Sequence, residues 1–130
     1  VQTCALPILM GQCDFVSVHT PLTAETRGLI GAEAFAAAKK GMILINTARG
    51  DVVDPAALIK ALTKGVIAGA GLDVFEGEPK VQEAFLTMDN VVLFPHLGSA
   101  TMETRVAMGM RALDNVQAFF AGQPPRDRVV

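Results

Sequence analysis

Three polar side chains in this sequence could together bind an anion and move a proton: Arg49, Glu78 and His96. Each of them follows a short apolar run, and such runs, separated by helical stretches, are typical of parallel strands buried on both faces. Ligands of open α/β sheets bind beyond the carboxyl ends of the strands. We therefore expect a cation, a carboxylate and an imidazole to meet at one edge of one sheet.

Each of these residues also has an ordinary structural interpretation. Arg49 could form an ion pair with Asp51 or Asp54 at a loop surface, and its position in the sequence does not decide between the two roles. Glu78 lies in an acidic loop, where a carboxylate is usually just solvated. A lone histidine is more often structural than catalytic, and His19 is a rival candidate because it also follows a strand.

The composition excludes several classes of function. The chain has 130 residues, enough for one domain, and a net charge of −2 gives no sign of a nucleic-acid surface. The longest charge-free stretch, residues 1–13, is too short to span a bilayer. Cys4 and Cys13 have no metal-ligand spacing to the histidines, so we predict no metal site and a reducing cytoplasmic location.

The hydrophobic pattern predicts four strands and three helices. The predicted strands cover residues 14–19, 42–46, 66–74 and 91–94. The predicted helices cover residues 32–40, the stretch between an N-cap at Asp54 and a stop at Gly65, and residues 101–121. The first of these helices is expected to end at Gly41. This alternation favours a parallel sheet with right-handed crossovers.

Four motifs in sequence order resemble the D-isomer-specific 2-hydroxyacid dehydrogenases. They read VSVHTPLTAETRGLIG, ILINTARGDVVDPAALIKAL, GAGLDVFEGEP and FPHLGSAT, and the resemblance covers about residues 13–122. The GSAT ending and the last helix are most similar to the glyoxylate and hydroxypyruvate reductase branch. The resemblance implies an α/β fold, namely the second half of a Rossmann-like doubly wound parallel sheet plus a long C-terminal helix, without the substrate domain.

The resemblance also implies roles for the three polar residues. Arg49 would bind the carboxylate of a small 2-keto acid and polarise its carbonyl group. His96 would act as the acid and base, protonating the carbonyl oxygen as hydride arrives. Glu78 would hydrogen-bond His96 and raise its pKa.

The implied cofactor is NAD or NADP, and its expected contacts come from four places in the sequence. Beyond the strand ends it would meet Asp73, through the nicotinamide carboxamide, and the motif around His96. The full set of expected cofactor-binding residues is His19, Thr20, Pro21, Thr47, Ala48, Arg49, Asp73, His96, Gly98 and Ser99.

The chain departs from the family pattern in its extent. It contains no G-x-G-x-x-G phosphate loop; Gly69-Ala70-Gly71 lies inside a strand without a third glycine. We leave residues 1–12 unassigned as a candidate artefact, and assign 13–122 to a partial NAD(P)-binding domain and 123–130 to a segment returning to a missing substrate domain. The chain by itself is expected to be inactive.

Two functional hypotheses follow. The first is a fragment of an NAD(P)-dependent reductase of glyoxylate or hydroxypyruvate type, whose parent is a homodimer that contacts neither nucleic acid nor membrane. The second is an NAD(H)-sensing binding protein similar to the transcriptional corepressors of this fold, which can keep the same three residues. The sequence does not name the 2-keto acid or choose between NADH and NADPH.

Overall fold

The computed structural model describes residues 6–129, so Cys4 lies outside the described part. The chain divides into two compact units, the first ending at His96 and the second beginning at Leu97. The strands are β1 (Phe15–Val18), β2 (Ile43–Asn46), β3 (Gly69–Leu72) and β4 (Val91–Leu93). The helices are α1 (Leu6–Gln12), α2 (Ala32–Ala36), α3 (Pro55–Thr63), α4 (Glu83–Leu86) and α5 (Met102–Phe120).

The first unit is built on a parallel sheet with the strand order β1-β2-β3-β4, which confirms the predicted fold class. The register aligns the last residues of all four strands in one row: Val18, Asn46, Leu72 and Leu93. Side chains alternate between buried and more exposed positions along β1, β2 and β3. A slip of one residue would turn the buried side chains of a strand toward solvent. The burial pattern therefore keeps the ends of the strands aligned.

The core lies between the sheet and its helices. Its largest fully buried side chains include Met10 from α1, Leu44 from β2 and Leu58 from α3. The predicted start of α3 is confirmed, because the Asp54 carboxylate accepts hydrogen bonds from the amides of Ala56 and Ala57 at 2.9 and 3.1 Å.

The predicted helix over residues 32–40 is too long, because α2 ends at Ala36 and Ala37 is its C-cap. Beyond that point the chain is held by other partners: the Lys39 amide donates to the Met10 carbonyl at 2.8 Å, and its ammonium group contacts Asp14 at 2.6 Å. Gly41, with φ +86°, therefore serves the turn before β2 and does not end the helix.

The predicted third strand is also too long. Residues 66–68 precede β3 as bends, where the Val66 amide donates to the Ala61 carbonyl and the Ala68 amide to the Met42 carbonyl. Two short helices, α1 and α4, were not predicted, since a few residues are too short to show a helical period. Within residues 6–129 we find no helix with the length and apolar character needed to cross a bilayer.

The second unit consists of residues 97–101, α5 and the segment after it. The Thr101 hydroxyl caps α5 by accepting from the Thr104 amide at 3.2 Å. The helix therefore begins at Met102, one residue after the predicted start. Asp127 folds back onto the helix and accepts two hydrogen bonds from the Arg111 guanidinium at 2.5 and 2.7 Å. With Asn115 as a further donor, these bonds lower the pKa of Asp127 to about 2. The apolar stripe of α5 is exposed.

The Asp54 cap gives a test of how α3 is held. Replacing Asp54 by Ala removes the acceptor for two amides, and we expect the free energy of unfolding to fall by about 1 kcal/mol. Urea denaturation followed by circular dichroism measures the loss. Asp54→Ser keeps a capping oxygen and should lose less; equal losses in the two variants would show that the cap does not stabilise α3.

Candidate active site

The predicted polar residues lie just beyond the row in which the four strands end. His19 follows β1 directly, Asp73 follows β3 directly, and Arg49 and His96 come three residues after β2 and β4. The carboxyl ends of parallel strands share one edge of a sheet, and this is the edge at which open α/β folds bind ligands.

The loop after β2 is organised by a buried amide side chain. Asn46 is 1% exposed, and its Oδ1 accepts from the Ala48 amide at 3.1 Å while its Nδ2 donates to the Arg49 carbonyl at 3.0 Å. These bonds satisfy the buried polar group and fix the backbone that carries Arg49. The Arg49 side chain is exposed, and its Nη1 donates to the Ala48 carbonyl at 2.6 Å.

The loops after β2 and β3 touch through their backbones. A Cβ atom added to Gly50 would overlap the carbonyl group of Phe75 and the amide of Glu76. Position 50 therefore needs a glycine for this close approach. The contact joins the loop that carries Arg49 to the loop that carries Glu78.

Both oxygens of the Glu78 carboxylate are engaged. Oε1 accepts from the Phe75 amide at 2.9 Å, and Oε2 lies 2.8 Å from Nδ1 of His96. These contacts lower the pKa of Glu78, the His96 bond more than the Phe75 bond. An ionised carboxylate can only accept, so Nδ1 of His96 is the donor and Nε2 is the ring nitrogen left for a reacting group.

His96 has a backbone conformation that side chains other than glycine seldom adopt. Its φ is +56°, in the left-handed region. Such strain persists where surrounding contacts enforce it, and it is concentrated at functional sites. Here the carboxylate of Glu78 holds the ring, and the imidazole remains 48% exposed and open to a ligand.

A cleft of about 440 Å³ opens beyond β1 and β2. Residues 19–22 form what we call its first wall, and residues 47–49 form its second wall. His19 is tied to its own strand, since its Nε2 lies 2.9 Å from the Ser17 hydroxyl. The Thr20 Oγ1 is buried and has no hydrogen-bond partner among the described residues. An orphaned hydroxyl in a cleft fits a ligand that offers it a hydrogen-bonding atom.

The structure brings most of the predicted residues into two groups. Glu78 and His96 are bonded to each other, and the cleft collects His19, Thr20, Pro21, Thr47, Ala48 and Arg49. Asp73 is buried directly after β3, where its amide donates to the Asn46 carbonyl at 3.0 Å. Gly98 and Ser99 belong to the second unit. Residues 6–129 contain no cluster of side chains suited to hold a metal ion.

Two contributors to this site were not predicted. The apolar pattern places Asn46 only at the end of a strand, although a polar residue closing an apolar run before Thr-Ala-Arg is a signal for a side chain that organises a turn. The Phe75 amide, which donates to Glu78, has no signal in the sequence because any non-proline residue supplies a backbone N–H.

The parallel sheet and the ligand-facing edge define the class of protein, a Rossmann-like α/β domain. Residues 1–98 match the family described as D-isomer specific 2-hydroxyacid dehydrogenase, NAD binding domain. The chain belongs to this family, and the resemblance read from its four motifs is confirmed.

Two known proteins similar to the chain are reductases by name. It is 51% identical over 121 residues to a glyoxylate reductase from Thermococcus litoralis, covering 93% of the chain and 37% of that protein. It is 51% identical over 127 residues to a glyoxylate/hydroxypyruvate reductase B from Escherichia fergusonii, covering 97% and 39%. The chain thus spans about two fifths of the length of these relatives.

The chain is also similar to a solved structure of a reductase. The NADPH-dependent glyoxylate/hydroxypyruvate reductase from Sinorhizobium meliloti, in complex with NADP and malonate, aligns with a TM-score of 0.86 at 42% identity. The alignment covers 96% of this chain and 42% of the reductase.

The Glu78–His96 contact predicts a shift in titration. In His96→Ala the pKa of Glu78 should rise toward the ordinary glutamate value but stay below it, because the Phe75 amide still donates. Carboxyl ¹³C NMR measures the midpoint. Glu25, whose pKa is lowered mainly by Thr23, is the control and should not change.

The same contact makes stability depend on pH. The folded pKa of Glu78 lies below the unfolded one, so its ionised form stabilises the fold above the unfolded pKa. That stabilisation is lost as the pH falls through the folded pKa. An unchanged Glu78 midpoint in His96→Ala would contradict the bonded pair.

Proposed function

We propose that this chain is part of an NAD(P)-dependent oxidoreductase that interconverts a small 2-keto acid, of the glyoxylate or hydroxypyruvate type, and its D-2-hydroxy acid. The observation that carries the proposal is the Glu78–His96 pair, 2.8 Å apart, beyond the carboxyl end of the sheet. A paired imidazole with one free nitrogen suits proton transfer to a carbonyl oxygen. The names of the relatives support the same chemistry.

The cleft suits the cofactor, which we propose to be NAD or NADP. Its first wall offers the orphaned Thr20 hydroxyl, and its second wall offers the backbone of residues 47–49 beside the Arg49 cation. Asp73, Gly98 and Ser99 complete the proposed cofactor-binding set. When bound, a nicotinamide dinucleotide supplies or accepts the hydride.

His96 acts as the acid during reduction. Its Nε2 holds a proton and gives it to the carbonyl oxygen of the keto acid, whose carbon receives the hydride. In the reverse direction Nε2 takes the hydroxyl proton. Glu78 orients the ring through Nδ1 and favours its protonated form, because a carboxylate at hydrogen-bond distance stabilises an imidazolium.

Arg49 binds the substrate carboxylate. A guanidinium matches a carboxylate with two parallel hydrogen bonds, and the Asn46 turn holds the backbone from which this side chain extends. The bond to the Ala48 carbonyl uses Nη1, so the exposed Arg49 guanidinium keeps other N–H donors for a substrate. The same charge polarises the substrate beside the reacting carbonyl.

The names of the relatives favour the enzyme over a nucleotide-sensing corepressor. We also propose that the 130 residues alone turn over little, because their sequence contains no G-x-G-x-x-G loop to hold the pyrophosphate. The assays below therefore use the full-length protein that carries this chain. A homodimeric parent and a cytoplasmic location stay predictions.

Replacing His96 tests the acid. In His96→Ala, kcat for glyoxylate reduction should fall by about 10² to 10⁴, the usual contribution of a general acid, with little change in the Kd for NADH or NADPH. Stopped-flow absorbance at the nicotinamide band measures turnover, and calorimetry measures binding. Lys64→Ala, at an exposed position just after α3 and outside the cleft, is the control and should keep the parental activity.

Replacing Arg49 tests substrate capture. Arg49→Ala should raise KM for the keto acid and lower kcat, and Arg49→Lys should restore only part, because an ammonium group cannot bind a carboxylate through two fixed donors. Steady-state kinetics with glyoxylate and hydroxypyruvate measure both constants. Parental rates in both His96→Ala and Arg49→Ala would refute the assigned roles.

Replacing Thr20 tests whether its hydroxyl contacts the cofactor. Thr20→Val removes a buried hydroxyl that lacks a partner, so the free protein should be as stable as the parent or more stable. If the hydroxyl bonds the dinucleotide, the Kd should nevertheless rise by about fivefold, equivalent to about 1 kcal/mol. Thr63→Val, on the exposed face of α3, is the control. An unchanged Kd in Thr20→Val would remove Thr20 from the proposed set.

A further inference from the structure

The two walls of the cleft come from different loops, and an ion pair outside the cleft joins those loops. The first wall continues into the segment that contains Arg27, and the second wall continues into the 3-10 turn Gly50–Val52, which contains Asp51. Nη1 of Arg27 donates to Oδ1 of Asp51. The pair thus connects two segments 24 residues apart in the sequence.

Backbone hydrogen bonds hold the base of these loops together. The Gly28 amide donates to the Asp51 carbonyl at 2.8 Å, and the Ile30 amide donates to the Val52 carbonyl at 3.0 Å. Ile30 also forms an isolated parallel bridge with Val53. These bonds hold the two segments side by side, so the Arg27 guanidinium lies within reach of the Asp51 carboxylate.

A second set of contacts links Arg27 to the first wall. The Thr26 hydroxyl donates to the Pro21 carbonyl at 2.6 Å, and the Arg27 amide donates to the Thr23 carbonyl at 3.1 Å. These bonds connect the segment that carries Arg27 to Pro21, which lines the cleft. On the other side, Asp51 lies two residues from Arg49.

We infer that Arg27 and Asp51 are a positioning pair, which sets the gap between the two walls and thereby the affinity of the cleft for a dinucleotide. This inference rests on the proposed function for its ligand. Neither residue touches the reacting atoms, so the pair acts through Pro21 on one side and Arg49 on the other. Energetic coupling of this kind travels through contiguous contacts such as these.

The exposure of the pair argues against a large role in stability. The Arg27 side chain is 58% exposed and that of Asp51 is 26% exposed, and ion pairs so open to water contribute little to the free energy of folding. Lys39 and Asp14 form a second exposed pair across 25 residues, just before β2 and β1. That pair is a matched control at the amino ends of the strands.

The test measures binding and kinetics in the full-length protein. Arg27→Ala and Asp51→Asn should each raise the Kd for NADH or NADPH by about three- to tenfold. The double variant should add little to either, because both remove one interaction. KM for the dinucleotide should rise while kcat at saturation stays near the parental value, since the Glu78–His96 contact is untouched. Exchanging the charges, with Arg27→Asp and Asp51→Arg together, should recover part of the affinity.

Hydrogen exchange of the free protein supplies a measurement that needs no ligand. In Arg27→Ala, the amides of residues 47–50 and those of Thr20 and Leu22 should exchange faster than in the parent, while Asp14→Asn and Lys39→Ala should leave them unchanged. Unfolding midpoints in urea should shift equally in the two sets of variants. A larger loss of stability on breaking Arg27–Asp51 than on breaking Lys39–Asp14 would assign it a structural role and overturn the inference.

The outcomes separate this inference from the proposed function. Parental exchange rates in Arg27→Ala, or faster exchange with a parental Kd, would overturn the positioning role even if the enzyme reduces glyoxylate. A protein that binds a dinucleotide but reduces no 2-keto acid would refute the proposed reaction. The dinucleotide Kd values of the Arg27 and Asp51 variants would still test the positioning role of the pair. If no dinucleotide binds the parent, both the cofactor assignment and the inference fail.

Discussion

Parallel pairing in a single register is the constraint on which the rest of this structure depends. Val18, Asn46, Leu72 and Leu93 end their strands in one row. Burial of alternate side chains keeps that register, because any slip by one residue would expose the core face of a strand. Every polar group of the candidate site then begins its loop from the same line, and short loops suffice to collect them.

Backbone contacts convert this common line into a site. Asn46 is buried, and both ends of its side-chain amide form hydrogen bonds with the loop that carries Arg49. Gly50 lets that loop approach Phe75 so closely that no side chain fits between them. The Phe75 amide in turn holds Glu78. The position of the Glu78 carboxylate is therefore fixed relative to β2 by groups that take no part in the reaction.

The Glu78–His96 pair combines chemistry with strain. The carboxylate fixes one ring nitrogen, and the left-handed backbone of His96 is tolerated because its neighbours enforce it. The interaction lowers the pKa of Glu78, which keeps the carboxylate ionised and able to accept from the ring. One contact thus sets both the orientation of the ring and the identity of the nitrogen left to react.

Local sequence patterns alone predict the four strands with α2, α3 and α5 between and after them, the parallel sheet, the Asp54 cap and the sheet edge beyond which Arg49 and His96 lie. Those features follow from local apolar runs and turn residues, which are read without knowing what packs where. The sequence did not determine where α2 ends, since the partners of Lys39 are in α1 and beside β1. Nor did it show that Thr20 lacks a partner, that Arg27 pairs with Asp51, or that His96 adopts a positive φ. Such facts depend on atoms distant in the chain, and only tertiary packing decides which of them meet.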